Sequence, residues 1–394
     1  MKAEHFLFAA DARLKMGLSG NYMNRQFSIY LDLIRFTAAL MVFVSHVPGF
    51  SGGWLWQLAG FGHEAVVVFF VLSGFVISYV VYDKKESAAK YTASRLSRIY
   101  SVVIPALLLT IVLYYLGQEI NESAFDSLNE KMKEPVWTLI SALIFTNQSW
   151  IATPVFSNLP YWSLGYEVLY YIFFGVMIYT KKSKRVMFLI FVCLLMGPSI
   201  LLYLPIWFAG VLCFKKLKVY YLSFRLSVIL YILSVLGIVI FSIGTIQSEI
   251  NNFMHIILGE GFYRFLLEPA EKFSSDFVLC IFVTLHIFSS YHLTTNSNFF
   301  NIGMRLESII KKLSSHTFSL YLFHMPMLYF IAAIFPYSSN AVVNIFCSWC
   351  IAPFAIICLS TYTENKKYKY KIFFETILNR LAIFSPDKIY KSGS

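Results

Sequence analysis

Charge is what this chain has least of. Of its 394 residues only 13% are Asp, Glu, Lys or Arg, where soluble domains carry roughly a quarter. Apolar residues make up 58% and fall in many runs long enough to cross a bilayer. A large soluble globular protein is thereby excluded. Cysteine is scarce: Cys193, Cys213, Cys280, Cys347, Cys350 and Cys358 all lie within or beside apolar segments. The C-x-x-C of Cys347 and Cys350 has no second Cys pair or His cluster nearby, so helix packing is expected and a metal site is not. The first 22 residues lack an apolar core of the length a secretory signal needs. Internal repeats are not visible. Acidic residues are outnumbered by basic ones, 21 to 32, giving a net charge of +11. The basic residues cluster between apolar runs, which is the pattern of cytoplasmic loops and not of a nucleic-acid surface.

What is present is a series of apolar segments at about 28–47, 61–82, 99–117, 160–180, 186–203, 204–214, 222–246, 275–293, 315–336 and 339–361. Basic stretches lie at 84–98, 181–185, 215–218, 305–312 and 366–371, while 118–134 and much of 247–276 are acidic. Placing the N-terminus inside, and treating 136–150 as part of an outer loop, puts every basic stretch in the cytoplasm. The expected fold is an all-α polytopic membrane protein of about ten transmembrane helices with both termini cytoplasmic, set in the inner (plasma) membrane. Residues 1–24 read as an N-terminal tail with Met23 as an alternative start, 25–361 as the membrane domain, and 362–394 as a basic cytoplasmic tail. The segment 204–214 is too short to cross unless it borrows neighbours or tilts.

The first span, LDLIRFTAALMVFVSH (31–46), carries Asp32, Arg35 and His46. A charge at mid-bilayer costs about 2.5–3.5 kcal/mol on insertion scales. Asp32 and Arg35 are three apart and share a face, so mutual pairing is one explanation for them. Arg35 and His46 are eleven apart, three turns plus roughly 20°, so they share a face at depths differing by about 16 Å. A lone helical His also serves plain packing. The second span, GHEAVVVFFVLSGFVIS, places Glu64 near its outer end and Ser73-Gly74-Phe75 deeper. The small pair admits a ligand or a neighbouring backbone. In ASRLSRIY, Arg95 and Arg98 sit at i, i+3 at the inner mouth of the third span. They fit either a phosphate clamp or a positive-inside anchor. LPYWSLGYEVLYY buries Glu167 beside Trp162, Ser163 and Tyr166, and HTFSLYLFHMP adds Tyr321 and His324 before a proline that frees backbone carbonyls.

Together these pieces resemble the acyltransferase 3 family of integral membrane acyltransferases, which includes bacterial O-antigen and exopolysaccharide O-acetylases. The family's Arg, ten residues, His is matched by Arg35 and His46. Its FFxLSGF is matched by Phe69 to Phe75, its R-x-x-R by Arg95 and Arg98, its WSLxxE by Trp162 to Glu167, and its SxYLxH by Ser319, Tyr321, Leu322 and His324. The order is the family's. Ser101 stands where the family often has proline, with Pro105 further on, and Phe318 replaces the usual Tyr. The hydrolase-like (SGNH) domain fused to some members is not seen, so the membrane domain is expected to finish the transfer or to use a separate periplasmic partner.

The resemblance implies a membrane acyltransferase that moves an acyl group, acetyl by default, from cytoplasmic acyl-CoA to a hydroxyl of an extracytoplasmic or lipid-linked carbohydrate such as O-antigen, capsule or exopolysaccharide. No permanently bound cofactor is expected; acetyl-CoA is a substrate. Arg95 and Arg98 are expected to hold the CoA phosphates. The pantetheine arm would pass Ser73, Gly74 and Phe75. Arg35, oriented by Asp32 or Glu167, would position the thioester or stabilise charge on its carbonyl oxygen, and His46 would act as general base. Glu64, Trp162, Ser163, Tyr166, Tyr321 and His324 support, with His324 expected in the inner half on the donor side. The alternative from another class is a proton-coupled exporter of a glycan or lipid-linked sugar, since intramembrane Asp, Glu, Arg and His also build proton relays. Many transporters, however, are built from repeats.

Overall fold

The computed structural model describes residues 23–129, 134–217, 219–263, 270–296 and 302–380; most of the expected N-terminal tail and the end of the C-terminal one lie outside them. The described chain is helical, without strands. The helices that matter here are α1 (Arg25–His46), α2 (Gly62–Ser78), α3 (Ala88–Ile120), α4 (Pro135–Leu143), α5 (Trp162–Tyr179), α6 (Lys182–Lys216), α7 (Phe224–Ile243), α8 (Ile246–Leu258), α9 (Phe273–Asn296), α10 (Met304–Ser314), α11 (Thr317–Ile334), α12 (Tyr337–Phe346), α13 (Ala352–Thr363) and α14 (Lys367–Arg380). Eight described spans are long and apolar enough to cross a membrane, so the chain is an all-α, multi-pass membrane protein. The expectation of ten differs at two places. Helix α5 is not among the eight, and the segments 186–203 and 204–214 form a single broken helix.

That break falls at Gly197 (φ +74°), a conformation L side chains rarely adopt, and Pro198 follows it. Pro198 has no N–H to give the Leu194 carbonyl. The Trp150 indole supplies one instead, at 2.7 Å. The same repair recurs in α11: Pro326 leaves the Leu322 carbonyl without its helical donor, and the Asn158 amide fills it at 2.8 Å. In lipid every such group needs a partner from the protein.

Helix α2 is the centre of the bundle, packed against α1, α6 and α9. Gly74 and Gly210 set its distance from α6. A Cβ on Gly74 would collide with the Trp207 carbonyl oxygen, and one on Gly210 with the Val71 carbonyl oxygen. Backbone cannot yield as a side-chain tip can, so Gly210→Ala forces the helices apart. We expect a loss of about 1–3 kcal/mol, read as a lower melting temperature in detergent with the protein still inserted.

One end of the bundle is closed by polar ties. Asn24 caps α1 by accepting from the Phe27 amide at 2.7 Å and donates to the Thr294 carbonyl at 3.0 Å. Arg25 pairs with Glu307, which also takes Lys311 at 2.6 Å. The hydrogen bond from Arg25, with Lys311 behind it, lowers the Glu307 carboxyl from its ordinary 4.5 to about 2. A depressed carboxyl contributes stability above its unfolded pKa and loses it as pH falls toward the folded one. The tie between α1 and α10 is therefore expected to weaken between about pH 4.5 and 2. Hydrogen exchange of α10 measured down that range checks this, and Glu307→Gln should flatten the dependence.

Residues 367–380, expected within the tail, form α14, which packs along α3, with Phe374 5.9 Å from Tyr100 ring to ring.

Candidate active site

Five helices bring polar side chains into one cavity in an otherwise apolar bundle. Arg35 comes from α1, Ser73 from α2, Arg95 and Arg98 from α3, Ser163, Glu167 and Tyr171 from α5, and Thr317, Phe318 and Tyr321 from α11. Helical spacing explains the delivery: 163, 167 and 171 form one stripe at i, i+4, i+8, and 95 and 98 share a face. The cavity volume is about 60 Å³, a narrow slot and not a chamber. Val66, Phe69, Phe70, Leu72 and Val76 of α2 form much of its apolar wall.

Its polar groups are tied to one another. Asp32 accepts from Arg35 at 3.1 Å. Ser73 Oγ donates to Glu167 Oε1 at 2.9 Å, and the Tyr171 hydroxyl donates to the same oxygen. The Trp207 indole donates to Ser73 Oγ at 3.2 Å. The Arg95 guanidinium lies over the Tyr171 ring, 5.8 Å from its centre, a cation–π contact. Three guanidiniums face two carboxylates, Glu167 in the slot and Asp32 paired with Arg35, and the positive charge left over in a low-dielectric wall favours an anion. Of the two groups expected to orient Arg35, Asp32 makes the contact; Glu167 is engaged by Ser73 and Tyr171.

The Ser73-Gly74-Phe75 triplet divides. Ser73 lines the cavity, while Gly74 faces the Trp207 backbone and Phe75 is buried between Phe27 and Phe214. Consecutive helical residues point about 100° apart, so the three cannot share a wall. Gly74 is a packing residue between helices.

His46 ends α1, half-buried, and does not line the slot. Its ring stands 5.3 Å from that of His324. This corrects the expected placement of His324 at a different level from His46: it lies level with the C-terminal end of α1. The reason is where α11 begins. Thr317 and Phe318 already line the cavity beside Arg35, so α11 starts deep in the bundle and seven further residues carry His324 about 10 Å higher. His324 is fully buried; Nδ1 donates to the Leu320 carbonyl at 2.9 Å, and Nε2 has no partner among the described residues. Tyr321 links the levels. It lines the slot, its hydroxyl meets Ser163 Oγ at 2.6 Å and donates to the Pro160 carbonyl at 2.9 Å, and its ring is 6.3 Å from His324.

Two further candidates stand apart. Glu64 is buried and accepts from Gln247 at 3.0 Å, facing a separate apolar cavity of about 420 Å³ between α1, α2, α7 and α9. Tyr166 is buried among the rings of Phe70, Trp162, Tyr170 and Tyr203. Two residues of the network escaped sequence reasoning. Tyr171 carried a signal, four residues beyond Glu167 on one helix; Trp207, 134 positions from Ser73, carried none.

Residues 28–364 match the acyltransferase 3 family, described as an acyltransferase domain. An O-acetyl transferase of Shigella phage Sf6 is 31% identical over 195 residues, 45% of this chain and 56% of that protein. Acyltransferase MdmB of Streptomyces mycarofaciens is 28% identical over 152 residues, 36% of each chain. The match thus spans little more than half the length of the first relative and about a third of the second. No solved structure matches.

Proposed function

The chain belongs to the acyltransferase 3 family, and from that premise we propose that it transfers an acyl group, acetyl by default, from cytoplasmic acyl-CoA to a hydroxyl of an extracytoplasmic or lipid-linked carbohydrate at the inner membrane. The observation that carries this reading is the convergence of Arg35, Arg95, Arg98 and Glu167 on one narrow slot. Three guanidiniums converging on a narrow slot suit a thin arm with an anionic end.

Arg95 and Arg98 hold the phosphates of the donor as forked, charge-assisted donors. The arm lies along the slot past Ser73. Arg35, fixed by Asp32, orients it. The rise of about 16 Å between Arg35 and His46 favours one of the two roles open to Arg35. A shared reacting centre needs each group within about 3 Å of it, so the two serve different parts of an extended donor. Arg35 positions the arm, and the thioester carbonyl lies further out, toward Tyr321 and His46. There the acceptor oxygen attacks the carbonyl carbon while His46 takes its proton. The C–S bond then breaks, and the thiolate leaves as CoA with the proton returned from the imidazolium. Acyl ester and free thiol are the products.

The test is the surface glycan. Glycans purified with and without this protein are expected to differ by one base-labile acyl mass per modified residue. Identical masses would refute the transfer, whereas a missing sugar or missing lipid-linked intermediate would point to transport.

A further inference from the structure

On the outer side of the bundle, beside the slot, is a second polar constellation that the transfer step has not used. His63, in the first turn of α2, gives Nε2–H to Asp276 Oδ2 at 2.7 Å. The same oxygen takes the Tyr203 hydroxyl at 2.5 Å. Asp276 is 4% exposed at its side chain and His63 24%. The acid is thus buried behind a ring that reaches solvent. In the tautomer that commits the Nε2 proton to the carboxylate, Nδ1 is left as an acceptor. His63 stacks on Trp162, 6.1 Å between centres and 14° between planes. Together with Gln148, Ala152, Glu271 and Lys272 these side chains line an open cavity of about 310 Å³, at the lower end of the range for small-ligand sites.

Two contacts put this cavity beside the slot and the end of α1 that carries His46. Trp162 lines it and the next residue, Ser163, lines the slot; Phe70, another wall of the slot, lies 6.2 Å from Trp162 ring to ring. Gly62 abuts Ser45 so closely that a Cβ on it would collide with the Ser45 hydroxyl. His63 and His46 each lie one residue beyond that junction. We infer that this cavity is the acceptor site, and that His63, held by Asp276, accepts a hydrogen bond through Nδ1 from a hydroxyl beside the one that reacts. The ligand class is a polyhydroxylated ring. An aromatic wall, an imidazole held in place by Asp276, the Gln148 amide and one charge of each sign at Glu271 and Lys272 match vicinal hydroxyls better than a phosphate or a bare alkyl chain.

The inference rests on the proposed acyl transfer, and the experiment separates the two. The full-length protein in nanodiscs is given radiolabelled acetyl-CoA and base-deacylated envelope polysaccharide, and label in polysaccharide is followed against concentration of each substrate. His63→Ala is expected to raise the acceptor KM about tenfold, the loss of one well-placed hydrogen bond, with donor KM and acetyl-CoA binding unchanged. His63→Gln, whose amide can donate to Asp276 and accept from the acceptor, is expected to restore most of that loss. A fall in kcat at constant acceptor KM, or an unchanged acceptor KM in a folded variant, overturns the acceptor site. A variant that loses melting temperature while its acceptor KM stays normal shows that the pair only ties α2 to α9. No label from the wild-type protein overturns the transfer reading itself.

Discussion

His46→Ala leaves a protein that inserts and binds acyl-CoA but acylates about 10²–10⁴-fold more slowly, the usual contribution of a positioned general base. Position singles this residue out. His46 is half-buried at the C-terminal end of α1, where the chain leaves the helix for the turn at Val47–Gly49. His324, the other imidazole at that depth, is fully buried, with Nδ1 fixed on the Leu320 carbonyl. The ring with access to an incoming alcohol is therefore His46. Truncation removes an imidazole that caps no helix and makes no hydrogen bond to the described chain, so α1 keeps its packing on α2 and α11. The measurement is single-turnover acyl transfer with matched acyl-CoA binding. Full activity in His46→Ala would remove it as base; loss of donor binding together with rate would mean that it shapes the slot instead. His46→Gln separates a base from a hydrogen-bonding residue, because the amide cannot take up a proton.

How much of this was legible in the sequence depended on distance along the chain. The stripe of α1 is readable because Arg35 and His46 obey one helical period. The convergence of α1, α3 and α5 does not follow from periodicity, which orients residues within one helix and says nothing of its neighbours; five short motifs in a known order pointed to it. Features that depend on one residue facing another far away stay hidden. Within the run from 186 to 214 the Gly197-Pro198 pair marks a break that a division at 203 passes over, and only the structure shows Gly197 against Ser149 and Trp150. Gly74 reads equally well as a ligand passage or a packing contact, and the Trp207 carbonyl decides for packing. The expected inner position of His324 supposes a helix that begins at the membrane face, whereas α11 begins inside the bundle. His63 and Asp276 stand 213 positions apart and share no spacing signal at all.

The Arg95→Ala, Arg98→Ala double variant is expected to weaken acyl-CoA binding about 10²–10⁴-fold. Each guanidinium that meets a phosphate through charge-assisted hydrogen bonds contributes about 1.5–3 kcal/mol, two contribute about 3–6, and 1.4 kcal/mol is a factor of ten. Calorimetry with acetyl-CoA reads the loss, and raising salt should erode wild-type affinity far more than that of the variant. The structure sharpens the comparison between the two positions. Arg95 lies over Tyr171, whose hydroxyl serves Glu167, so removing it also loosens the Ser73–Tyr171–Glu167 network. Arg98 lines the same slot from one turn further along α3. Arg95→Ala should therefore slow the transfer beyond its effect on donor affinity, while Arg98→Ala should act on affinity alone. Lysine at either site keeps the charge but not the fork, so it should recover the salt dependence and only part of the affinity. The competing explanation is a topology anchor. Under it, lysine restores everything, donor affinity in the inserted fraction never changes, and reporter fusions to the loop before α3 show a share of molecules with that loop on the outside. The two accounts part on a single number, the acetyl-CoA affinity of correctly inserted Arg→Lys protein, because an anchor needs positive charge and a phosphate clamp needs the geometry of the guanidinium.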